Sequence, residues 1–112
     1  MPAADLALLP PELAARSRSV LEIALEGDDA LRAIEHVAAA GRRVESWEGW
    51  VWLPEGGRTR SLAHPGPFAL PMDPRRAADL AREGIARSIA AWARAPEYPG
   101  ATLTFSIAVA PE

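Results

Sequence analysis

The segment Thr102-Leu103-Thr104-Phe105-Ser106-Ile107-Ala108-Val109 alternates strictly between small or polar and large apolar side chains. A period of two belongs to a strand with one buried face, and such a strand needs partners, so the chain must build a sheet. Just upstream the period changes. Ala78, Ala81, Ile85, Ile89 and Trp92 fall on one helical stripe, and Glu83 stands four residues before Arg87, an arrangement that supports a helix. Asp73 is the expected cap of that helix, Pro74 its first residue, and Pro96 and Pro99 its stop. Gly84 sits in its middle, where glycine costs roughly 1 kcal/mol against alanine, and is expected to mark a close approach by another element.

A second helix is delimited in the same way. Gly27-Asp28 breaks the preceding segment, Asp28 is the expected N-cap, and Asp29 adds a favourable charge to the first turn. Leu31, Ile34 and Ala38 form a narrow stripe flanked by Ala30 and Val37, and Gly41 stands where a left-handed residue ends a helix. From Arg43 to Leu53 the chain carries Val44, Trp47, Trp50, Val51 and Trp52. Pro54-Glu55-Gly56-Gly57 then forms a turn, and Arg58 to His64 returns as a second strand. The apolar residues of the first arm fall on both parities, so a bulge is expected, with Gly49 as its place. His64-Pro65-Gly66-Pro67 is expected to end the hairpin.

Residues 1–10 are expected to be a flexible arm, followed by a short helix from Pro11 to about Arg18 and one domain over residues 11–112. Leu21, Ile23 and Leu25 alternate with Glu22, Ala24 and Glu26 as in a strand, yet Leu13, Ser17, Val20, Leu21 and Ala24 also fit a helical stripe. Both readings stay open. The elements together predict a small α+β domain, with an antiparallel or mixed sheet of three to four strands and helices packed on one face. An uncovered edge of the hairpin or of the C-terminal strand would let two copies pair as a homodimer.

The core available to this fold is thin. Alanine accounts for 24 of 112 residues, and Leu, Ile, Val and Phe together for another 24, so the four tryptophans carry much of the burial. No run approaches the roughly 18 apolar residues of a membrane span, and Met1-Pro2-Ala3-Ala4-Asp5 has neither the charge nor the apolar run of a signal peptide. With no cysteine there is no disulfide, and a cytoplasmic location is expected. All 12 basic residues are arginine. Residues 1–57 hold five of them against ten acids, densest over Glu22 to Glu35, and the whole chain carries a net charge of −3. That balance disfavours nucleic acid and would suit a basic partner, although on charge alone a net charge that merely keeps the protein soluble is the favoured reading.

Little in the chain points to catalysis. His36 and His64 stand alone without metal-ligand spacing, no serine lies in a nucleophile motif, and no glycine-rich phosphate loop follows a strand. No metal or cofactor is expected. The constellation to weigh is Glu45-Ser46-Trp47-Glu48-Gly49-Trp50-Val51-Trp52, with His64 on the return strand. One reading makes Glu45 or Glu48 and His64 the acid and base of a small enzyme or ligand-binding domain, in an aromatic-lined cleft. Glu45 and Glu48 have opposite parity, however, and a regular strand would send them to opposite faces. Packing of the tryptophans over a thin core is therefore favoured over catalysis. A third reading has the hairpin present its tryptophans and glutamates to a protein partner.

The run Leu21-Glu22-Ile23-Ala24-Leu25, then Asp28-Asp29-Ala30-Leu31-Arg32-Ala33-Ile34-Glu35, then Gly41 and Val44, resembles the immunity protein 40 family of bacterial polymorphic-toxin systems. In that family a Trp-Ala-Leu-like segment leads into a helix reading Asp-Ala-Leu-x-Ala-Ile, then a strand, a late helix and an apolar C-terminal strand. The likeness spans about residues 20–109. Ser46-Trp47-Glu48-Gly49-Trp50-Val51-Trp52 stands in place of the family's Leu-Gly-Gly-Asp-Val-Tyr-like strand motif and departs from it. The resemblance implies a non-catalytic cytoplasmic protein that neutralises a cognate toxin by covering it. The surface expected to do so is Trp47, Glu48, Trp50 and Trp52, with Glu26, Asp28, Asp29 and Glu35 as an acidic steering rim.

Overall fold

The computed structural model describes residues 4–67 and 72–111. Four strands, β1 (Ile23–Glu26), β2 (Val44–Trp52), β3 (Arg58–Pro67) and β4 (Thr102–Val109), form one antiparallel sheet in the order β1-β4-β2-β3. Helices α2 (Gly27–Ala39) and α3 (Pro74–Arg94) pack on one face of it, preceded in the chain by the short helix α1 (Pro11–Ala14). The α+β class and the one-sided helix layer match the expectation from periodicity. The open segment 21–25 resolves as strand, because Ile23 and Leu25 face the core while β4 supplies its ladder.

The inner side of the sheet is built from Ile23, Leu25, Trp47, Val51, Leu103, Phe105 and Ile107. Against it α2 places Ala33, Ile34 and Val37, and α3 places Ala78, Ala81 and Ile85. Alanine on both helices lets them approach the sheet closely, which is how so alanine-rich a chain closes a core. A close approach is made at Gly84. A Cβ there would lie 2.6 Å from Cζ2 of Trp47, whose ring also meets Phe105 edge to face at 5.8 Å between centroids. The mid-helix glycine thus marks the close contact that its position implied.

Helix ends follow their local chemistry. Asp73 accepts a hydrogen bond from the Arg76 N–H at 2.8 Å, and Pro74 opens α3. Gly41, with φ of 74°, closes α2 while its N–H donates to Ala38 and that of Arg42 to Val37, which satisfies two end carbonyls. Asp28 does not cap α2. Glu26 occupies the cap position without a side-chain bond, and Asp28 and Asp29 lie within the first turn, where their charges still oppose the helix dipole favourably.

Three expectations about the chain's path are corrected. The arm expected over residues 1–10 is docked from Ala4 onward, since a 3-10 turn (Ala4–Leu8) buries Leu6 and Leu9 in the core beside Leu13. The helix from Pro11 ends at Ala14 rather than near Arg18, because Ser17 and Arg18 are needed elsewhere. Ser17 Oγ accepts from the Ala24 N–H and the Arg18 N–H donates to the Ala24 carbonyl, which closes the outer edge of β1. β3 runs on through Pro67 instead of ending at His64. It is an edge strand, where proline's missing donor is tolerated. The C-terminal strand has no free edge at all, being flanked by β1 and β2.

On the outside of the two helices, Arg75 forks onto both Glu35 oxygens at 3.0 and 3.2 Å, and Arg82 reaches Glu35 at 2.6 Å. The Arg75 hydrogen bond, with the two guanidinium charges behind it, holds the Glu35 carboxyl below its ordinary value against a smaller opposing effect of burial. A depressed carboxyl pKa contributes stability above the unfolded-state value and loses it as the pH falls through the folded-state value. Glu35→Gln is expected to cost a few tenths of a kcal/mol at pH 7, since the pair is solvent-exposed, and nothing once Glu35 is protonated. Urea titrations of both proteins at neutral and strongly acidic pH check this. A difference that persists in acid refutes it.

Candidate functional site

The parity of β2 decides which side chains reach the surface. Val44 faces Val109 on β4 and Ser46 faces Ala108, so Glu45 is the extra residue of a bulge. Beyond it the odd residues Trp47, Gly49 and Val51 point into the core, and Ser46, Glu48, Trp50 and Trp52 point away from the helices. The bulge therefore explains apolar residues on both parities, but it sits at Glu45 and not at Gly49. Gly49 keeps its place opposite Phe105, while the extra residues opposite it lie on β3, between Arg60 and Pro65.

The helix-free face carries a layer made by side chains alone. The Trp50 indole N–H donates to Ser106 Oγ at 3.1 Å and that of Trp52 to Thr104 Oγ1 at 2.8 Å. Lying across β4, the two rings bury Thr104 completely and Ser106 nearly so. Arginines stack on top: Arg58 is 4.5 Å from the Trp50 ring centre, Arg60 is 5.6 Å from it, and Arg18 is 5.3 Å from that of Trp52. Each guanidinium also meets a carboxylate, with Glu22 at 3.6 Å from Arg58, Glu48 at 3.3 Å from Arg60 and Glu26 at 3.7 Å from Arg18. Stacking, hydrogen bonds and ion pairs together fix the orientation of side chains that would otherwise be mobile on a surface.

Around the end of the sheet, past Trp52 and its partner Thr102, the layer meets a groove of about 270 Å³. It is lined by Glu26 and Gly27 where β1 passes into α2, by Ile89 and Trp92 of α3, and by Thr102, Leu103 and Phe105 of β4. It adjoins a larger, more open hollow that shares Glu26, Gly27 and Ile89 with it and is bounded by Asp28 and Asp29. Ile89 and Trp92 belong to the helical stripe read as core, yet both are only partly buried at the groove. Their position at the end of the stripe, beyond the last core residue of α3, was the available signal.

The residues expected to form a partner surface are thus divided. Glu48, Trp50 and Trp52 share the outer face, and Glu26, Asp28 and Asp29 gather at its end, tied to Trp52 through Arg18. Trp47 is only 5% exposed and belongs to the core, so it offers no contact to a partner. Glu35 lies on the far side, between the helices, and is not part of the rim. Of the acid–base constellation, Glu45 is exposed at the bulge and Glu48 is held by Arg60, while the His64 side chain lies outside the described residues. Among the described residues no group of three His, Cys, Asp or Glu is placed to hold a metal ion, and no helix is long and apolar enough to cross a membrane. No protein-family model, curated protein or solved structure matches the chain.

Proposed function

We propose that this protein is an immunity protein, a cytoplasmic binding module that neutralises a cognate toxin by covering it, and that the outer sheet face is the covering surface. The observation that carries the reading is the tryptophan–arginine layer. Half of a two-layer sheet lacks helices, and in their place stand the two residue types that dominate binding hot spots, already locked in position. Pre-ordering of this kind lowers the entropic cost of association. Glu26, Asp28 and Asp29 at the end of the face supply a rim that speeds encounter with a basic partner. The sequence resemblance supplies the toxin as that partner.

The test is co-expression with the product of the gene immediately upstream, read as growth rescue and a co-purifying stoichiometric complex. In that complex Trp50→Ala is expected to weaken binding by about thirtyfold or more, the loss of one hot spot, while the variant stays folded. Asp29→Arg is expected to slow association with less effect on dissociation. Folded variants that bind as tightly and as fast as the parent refute the surface. Unchanged growth and no complex with the neighbour refute the immunity reading.

A further inference from the structure

On the outer face the same triple recurs: an indole, a guanidinium stacked on it, and a carboxylate paired to that guanidinium. Arg58 joins Trp50 to Glu22, Arg60 joins Trp50 to Glu48, and Arg18 joins Trp52 to Glu26. The groove at the end of the sheet and the hollow adjoining it hold an indole and a carboxylate without the guanidinium. Trp92 lines it, yet among the described residues no guanidinium stacks on that ring. Asp28, at the adjoining hollow, has no ion-pair partner among the described residues, whereas Asp29 is held by Arg16 at 3.0 Å and Arg32 at 3.6 Å. We propose that this groove receives an arginine side chain of a protein partner, its stem along Ile89 and Trp92 and its guanidinium at Asp28. The inference rests on the binding reading above, though not on the partner's being a toxin.

Size and shape favour that occupant. The groove of about 270 Å³ and the hollow beside it share Glu26, Gly27 and Ile89, so they form one elongated cleft with Trp92 toward one end and Asp28 toward the other, a shape that a long side chain can follow. Depth comes from Gly27, since a Cβ there would stand 3.3 Å from Ile89 Cδ1 and narrow the cleft. Asp28, the one lining carboxylate without an ion pair among the described residues, offers a negative charge at one end, and Ile89, Trp92 and Leu103 accept an aliphatic stem. Arginine fits this better than lysine because a planar guanidinium both stacks on an indole and forks onto a carboxylate.

The experiment is an NMR titration of the ¹⁵N-labelled protein with N-acetyl-arginine amide and, in parallel, its neutral isostere N-acetyl-citrulline amide. The expected result is saturable shifts of the Trp92 indole N–H and the Gly27 and Thr102 amides with the arginine compound, at a Kd on the order of 1 mM. Asp28→Asn is exposed and should not disturb the fold; it is expected to weaken this binding about tenfold. The citrulline compound should give no saturable shift. Equal response to both compounds, indifference to Asp28→Asn, shifts centred on the outer face, or no saturation overturns the proposal. Micromolar affinity for the free amide also overturns it, by making the groove a small-molecule site. A complex with the upstream gene product that is indifferent to Asp28→Asn and Trp92→Phe removes the groove alone. Arginine binding without any such complex removes the immunity reading alone.

Discussion

Truncating Trp47 to alanine is expected to cost about 3–5 kcal/mol of folding stability, the range for deleting a large aromatic from a packed core. The ring fills the space between Phe105 on the sheet and the Gly84 segment of α3. Its removal leaves a void beside Gly84, which has no side chain to fill it. A domain of this size has a total stability of about 5–15 kcal/mol, so the variant will be marginal or unfolded. Urea unfolding followed by circular dichroism measures this directly. A loss below about 1 kcal/mol would show that the ring is not the keystone of the α3 contact. The comparison with Trp50→Ala is instructive, because that residue is on the same strand but on the outer face. Its loss should fall mainly on partner binding, whereas any binding defect of Trp47→Ala should track unfolding.

Gly84→Val is expected to cost about 3 kcal/mol, the upper end for overpacking a core. Its Cβ would sit 2.6 Å from Trp47 Cζ2 and 3.3 Å from Cε2, so the helix must lift or the ring must turn, and neither is free to do so. Gly84→Ala poses a sharper question of sign. Helix propensity alone predicts a gain of about 1 kcal/mol. The contact predicts a larger loss, so the alanine variant should be less stable than the parent by about 1 kcal/mol. In a Trp47→Phe background the offending ring atoms are gone, and Gly84→Ala should then stabilise. Thermal or urea melts of the four proteins complete the cycle. A stabilising Gly84→Ala in the parent would mean that the close approach relaxes at no cost.

Much of this fold is legible in the sequence where one local rule suffices. Asp73-Pro74 starts α3, Gly41 ends α2, Gly56 and Gly57 with positive φ turn the hairpin, and the alternation of Leu103, Phe105, Ile107 and Val109 makes β4. What is not legible depends on partners distant in the chain. Leu6 and Leu9 have no periodicity, so only the finished core shows why they are buried. The prolines of β3 read as punctuation until the strand is known to lie at an edge. For the candidate site the deciding feature was one residue, Glu45. Its bulge sends Trp47 inward and Trp50 and Trp52 outward, and no pattern in the segment distinguishes those tryptophans. The gathering of Glu26, Asp28 and Asp29 beside Trp52 and Trp92 likewise requires the ends of three elements to meet.

The strand order carries a consequence for how the molecule is made. β2 and β3 are joined by a tight turn and can pair as soon as both have been synthesised. β1 has no such neighbour: Ile23 pairs with Ile107, and the strand that joins it to the hairpin is the last of the four to leave the ribosome. Until then Ile23 and Leu25 have no strand beside them, and the two sides of the sheet have no ladder between them. The nascent chain must carry exposed strand edges until β4 has emerged, and the sheet then closes with contacts of long range, a slow kind of closure.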